Sequence, residues 1–157
     1  MSQPSAVAEL SCRLSIDCLS QGGELFVSSV RQWVASARQR RCVKRDLIPA
    51  YHASACLDAL TPFDELMSLI VLAATRSLRV CAPEDTALSD DELTLLRVMR
   101  AVARNEGTDA RHELSGLITA RAAEAFSRIA GEYLSRLGDA GLHCTGVRRL
   151  PVVGASR

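Results

Sequence analysis

Residues 61–74 read TPFDELMSLIVLAA, and the fold turns on them. Thr61 followed by Pro62 is a helix opening: a capping side chain, then proline at the first helical position, where its missing N–H is not needed. Leu66-Met67-Ser68-Leu69-Ile70-Val71-Leu72 is apolar nearly all round, which predicts a helix at the centre of a bundle. Leu66 to Ala74 is too short to span a bilayer and is flanked by Asp64, Glu65 and Arg76, so no membrane association is expected.

Downstream, Ala82-Pro83-Glu84-Asp85 reads as a loop. Ser89-Asp90-Asp91-Glu92 is a capping box, in which the Ser hydroxyl and the Glu carboxylate each satisfy an orphan amide. It opens a helix with Leu93, Leu96, Met99 and Ala103 on its core face, ended by Asn105-Glu106-Gly107. A shorter helix follows from Thr108-Asp109 through Leu114 and Ile118. The last helix, about Arg121 to Leu137, buries Ala122, Phe126, Ile129, Tyr133 and Leu137. Its outside, Glu124, Arg128, Glu132 and Arg136, is a ladder of i,i+4 charges that supports helicity and wetting and is not a site. Gly138 and Gly141 terminate it.

Upstream, Asp46 is the expected cap of a helix carrying Leu47, Ala50, Tyr51 and Leu57 towards Leu60, with Pro49 in its first turn. Before it, Phe26, Val30, Trp33, Val34 and Ala37 line one face of a helix from Glu24, with Ser29, Arg31, Gln32 and Arg38 opposite. Leu10, Cys12, Leu14, Ile16 and Cys18 alternate with polar residues, the period of a half-buried strand, although a short helix is the rival. Gln21-Gly22-Gly23 ends that segment. The tail, Leu142 to Val153, is apolar, and Gly146 and Pro151 keep it extended; it packs on the bundle, pairs with residues 10–18, or enters a partner's groove. The expected architecture is all-α: a compact bundle of about five helices with an extended C-terminal tail and the option of short strand pairing between the ends. Residues 1–9 are expected to be disordered and 10–153 to form a single helical domain.

A chain with 48% apolar and 24% charged residues folds as a globular protein rather than remaining disordered. Its formal charge of +1 excludes a global pull towards nucleic acid or anionic membranes, so any attraction must be local. Lys44 is the only lysine; in so Arg-rich a chain, scattered arginines are weak evidence for phosphate binding. Met1 to Leu10 has neither a basic start nor a long apolar core, so a cytoplasmic location is expected and the six cysteines are expected to be thiols.

The motifs of common chemistries are missing. No Cys-x-x-Cys occurs, and the pairs His52/Cys56 and His143/Cys144 could supply four zinc ligands only if the tail met the helix; the preferred reading is buried free thiols. There is no Gly-x-Ser-x-Gly, no Gly-rich phosphate loop, and His112-Glu113 lacks the second histidine of a metalloprotease helix. Asp64, Glu65, Asp90, Asp91 and Glu92 fall in first turns, where the helix dipole explains them. No catalytic residue, metal ligand or cofactor is assigned; an enzyme or metal protein with a dispersed site stays as a distant alternative.

The conspicuous local feature is Arg38-Gln39-Arg40-Arg41-Cys42-Val43-Lys44-Arg45. Its five cations could neutralise phosphates, but no aromatic residues are interleaved for stacking on bases. An acidic cluster from Glu84 and Asp85 through Asp90, Asp91 and Glu92 could pair with it within or between chains. Arg97, Arg100 and Arg104 form a second stripe, with no acidic residue at i±4, that would extend the first surface if the two helices are neighbours. The partner-binding residues expected are therefore Arg38, Arg40, Arg41, Lys44, Arg45, Arg97, Arg100 and Arg104. The expected function is a non-enzymatic regulatory or adaptor protein, with an acidic protein partner favoured over nucleic acid. A nucleic-acid-binding regulator is the runner-up, and a homodimer through the tail is a further option.

Overall fold

The computed structural model describes residues 14–144 as six α-helices and two short 3-10 turns. They are α1 (Gln21–Arg38), α2 (Val43–Ala53), α3 (Leu60–Ala73), α4 (Asp90–Ala103), α5 (Gly107–Leu114) and α6 (Ala120–Asp139), with turns at Ile16–Cys18 and Leu57–Ala59. The chain is mostly helical, and among the described residues no strand forms.

The core is built on aromatic rings. Phe63 is fully buried, its ring centroid 6.2 Å from Phe26, 5.9 Å from Tyr51 and 5.7 Å from Tyr133. These rings join α1, α2, α3 and α6. Tyr51 is a core residue whose hydroxyl lies 3.2 Å from that of Tyr133. α3 is not the enclosed centre that its composition predicts. Leu66, Met67 and Ile70 are buried, but Val71 is 60% and Leu72 84% exposed. The last helix is the hub instead: α6 lies along α3 and also packs on α4, α5 and the Leu57–Ala59 turn. Apolarity all round a helix reports its transfer free energy, not which faces find a neighbour.

Several boundaries differ from expectation. Gln21-Gly22-Gly23 does not end a segment; Ser20 caps Gly23 N–H at 3.3 Å, and these residues form the first turn of α1. Asp46 is not a cap, because α2 starts at Val43 and Asp46 accepts from Ser36 Oγ at 2.6 Å. Pro49 then falls inside the helix, and α2 stops at Ala53 rather than running towards Leu60. α3 begins at Leu60 with no side-chain cap, so Thr61 has no capping role. α5 begins at Gly107 without a side-chain cap and stops at Leu114, short of Ile118, which bridges to Ala74. The Ser89–Glu92 capping box forms as expected, and Gly141, at φ 76°, ends the turn after α6. Gly138 lies within α6.

The period-two reading of residues 10–18 fails where the chain is described. Ser15 makes one antiparallel bridge to Ala87, and Ile16–Cys18 is a 3-10 turn. Residues 10–13 and 145–153, on which pairing of the two ends depends, lie outside the described residues. The start of the tail does pack back on the bundle. Ser20 Oγ donates to the His143 carbonyl at 2.6 Å, and Cys144 is buried. Gly22 makes this approach feasible, since a Cβ there would stand 2.6 Å from the His143 carbonyl carbon and oxygen. Gly22→Ala is therefore expected to cost about 1–3 kcal/mol by overpacking. Burial pushes the Cys144 thiol up to about 12, so the same variant should speed its alkylation by a thiol reagent. Unchanged stability and unchanged labelling would mean the tail does not dock here.

A buried electrostatic clamp holds the long α3–α4 connection. Arg31 and Glu92, both with side chains fully buried, form a two-point pair, Nε to Oε1 at 2.8 Å and Nη2 to Oε2 at 3.0 Å. Arg31 also donates to the carbonyls of Asp85 and Ala87, and Glu92 accepts the amides of Cys81 and Ser89. Beside it, Arg76 grips Asp91 at 2.8 and 2.7 Å, and Asp91 accepts the Arg79 amide. Arg31 and Ser29, expected on the wet face of α1, are thus interior.

Candidate interaction surface

The α1–α2 corner carries the basic run. α1 ends with Arg41 N–H bonded to the Ser36 carbonyl at 2.9 Å, and Arg40 takes the left-handed conformation at φ 54°. Glycine is the usual residue at that position of a helix end, so the corner holds a long cation where the backbone favours none. Arg41 pairs with Asp46 at 3.0 Å, and Lys44 with Asp64 at 3.9 Å. Arg38, Arg40 and Arg45 are exposed and, among the described residues, have no carboxylate within salt-bridge distance. The acidic cluster does not answer them, because Asp91 and Glu92 are taken by Arg76 and Arg31. Which guanidinium reaches each buried carboxylate is a tertiary fact and not a matter of local sequence.

The second stripe does not extend this corner. Arg97 pairs with Glu113 of α5 at 3.3 Å, an acidic partner that spacing along one helix cannot reveal. Arg100 and Arg104 are exposed. α1 and α4 run antiparallel: Gly23 lies by Leu96, and Arg31 by Glu92. Arg38–Arg45 and Arg97–Arg104 therefore occupy opposite ends of this pair, roughly 20 Å apart at 1.5 Å per residue. The α6 ladder is not made as an i,i+4 series either, since Arg136 reaches Asp58 at 3.5 Å.

Beside the corner runs an apolar groove that the sequence did not disclose. It lies between the second halves of α1 and α3, with a volume of about 580 Å³. Val30, Met67 and Ile70 floor it, Trp33, Val34 and Val71 wall it, and Arg38 and Arg76 stand at its rim. Trp33 is fixed there by its Nε1–H donated to Asp64 at 3.0 Å. The available signal was the exposed side of the all-apolar 66–72 run, which has no covering partner in the chain's own helical pattern.

The thiols and histidines do not converge. Among the described residues no group of three or more His, Cys, Asp or Glu side chains is placed to hold a metal ion. His52 is exposed, and Cys56 is buried past the end of α2. Burial raises the Cys56 and Cys144 thiols, and desolvation raises the Tyr51 and Tyr133 hydroxyls, so all four groups are held in their neutral forms. No described helix is long and apolar enough to cross a membrane.

The described residues form a mostly helical fold with a basic corner and an adjoining apolar groove. It matches no protein-family model, no curated protein and no solved structure.

Proposed function

We propose that this is a non-enzymatic regulatory or adaptor protein that binds an acidic protein partner through its α1–α2 corner. The observation that carries the reading is the unanswered charge of Arg38, Arg40 and Arg45 while the chain's buried carboxylates are committed elsewhere. Charge complementarity across an interface steers encounter and excludes wrong partners. Nucleic acid is the weaker reading. It would use the same cations, but the run Arg38–Arg45 has no aromatic residue interleaved for stacking on bases.

The test is capture of partners from native lysate, with and without nuclease, by wild type and by Arg38→Glu/Arg45→Glu. Both positions are exposed, so the variant should keep its unfolding midpoint. Capture of acidic proteins should survive nuclease and fall about tenfold or more in the variant. Capture that nuclease abolishes, together with retention on heparin at moderate salt, would transfer the corner to phosphate recognition.

A further inference from the structure

One wall of the groove is not helical. Ser77, Leu78 and Val80 border it, within a stretch, 77–82, that has neither helix nor bend. Arg79 donates its N–H to Asp91 at 2.7 Å and accepts at its carbonyl from Ser89 Oγ at 2.6 Å. Cys81 donates its N–H to Glu92 at 3.1 Å. Alternate residues of an extended chain direct their amides to opposite sides. Leu78 and Val80 alternate with these two anchored residues, and among the described residues neither their N–H nor their carbonyl groups have a protein partner. The stretch thus sets unpaired backbone groups beside the groove, braced from behind by two arginine–carboxylate pairs.

We propose that the groove binds an extended segment of an acidic protein partner. The segment adds as a strand to the 77–81 stretch, lays alternate apolar side chains over Val34, Ile70 and Val71, and sets a carboxylate against Arg38. The inference rests on the acidic-partner reading and assigns that partner its binding mode. An amphipathic helix would cover the apolar floor but leave the Leu78 and Val80 amides unmet. The chain's own residues 145–157 carry Arg148, Arg149 and Arg157 and no carboxylate side chain, the wrong charge for this rim.

A displayed random-peptide library panned on wild type, with subtraction on Val71→Lys, tests it. Val71 is 60% exposed, so the substitution leaves the core alone. Enriched peptides should show apolar residues at every second position with Asp or Glu at one end. N-methylation of alternate amides in a selected peptide should weaken binding to wild type about three- to tenfold in one register only. Apolar spacing of three and four, or indifference to N-methylation in both registers, overturns the extended mode. If such peptides still lose affinity on Arg38→Glu/Arg45→Glu, the acidic-partner reading survives that failure. Peptides that do not distinguish wild type from Val71→Lys overturn the groove, and tight binders lacking acidic residues overturn the partner's charge.

Discussion

Glu92→Ala is expected to lower the unfolding free energy by about 3–5 kcal/mol, because it strands the Arg31 guanidinium in the interior without a counter-charge. Arg31→Ala should cost a similar amount for the mirror reason. Arg31→Met/Glu92→Met, which removes both charges at similar volume, should recover only part of that loss, because the Asp85 and Ala87 carbonyls and the Cys81 and Ser89 amides lose their partners. Denaturant unfolding of the three variants measures it; single variants within about 1 kcal/mol of wild type would mean the pair is solvated. The clamp also fixes how the protein responds to acid. Burial alone would raise Glu92, but the hydrogen bonds from Arg31 and from the Ser89 and Cys81 amides bring its carboxyl below the ordinary range. The Arg76 guanidinium lowers Asp91 against the opposing effect of burial. Both folded-state values lie below the unfolded ones, so the stabilisation is complete above about pH 4.5. It is lost as pH falls through the folded values. The double methionine variant should show a shallower loss of stability below pH 4.5.

Phe63→Ala should be of comparable size, about 3–5 kcal/mol, since the ring is fully enclosed and three other aromatic rings would line the cavity. Leu72→Ala, about two and a half turns away on the same helix and 84% exposed, should change stability by less than about 0.5 kcal/mol. The contrast is informative because both residues belong to α3, the helix expected to be enclosed. Equal costs at the two positions would show that something covers the outer side of α3.

How far the sequence carried follows from the range of each interaction. The capping box was readable because Ser89 and Glu92 bond within three residues of each other. The core face of α6 was readable because one helical period specifies it. Arg31 was misassigned because its partner is 61 residues away. A clue was present, since Val27, Arg31 and Val34 share one row of α1, and a charge in an apolar row demands a counter-charge. The corner was found as a run of cations, but which of them remain unanswered depended on Asp46, Asp64 and the fate of Asp91 and Glu92. Only the α3 side of the groove has a signal in sequence, the all-apolar 66–72 run; its wall at 77–80 is specified by bonds to α4 rather than by its own pattern.

The hub being the final helix has a bearing on synthesis. Phe126, Ile129, Tyr133 and Leu137 close a core whose members from α1, α2 and α3 are translated well before them. A nascent chain halted ahead of Ala120 would carry the 66–72 run with its packing partner in α6 not yet made. Such a chain is the form most exposed to aggregation and most in need of a chaperone.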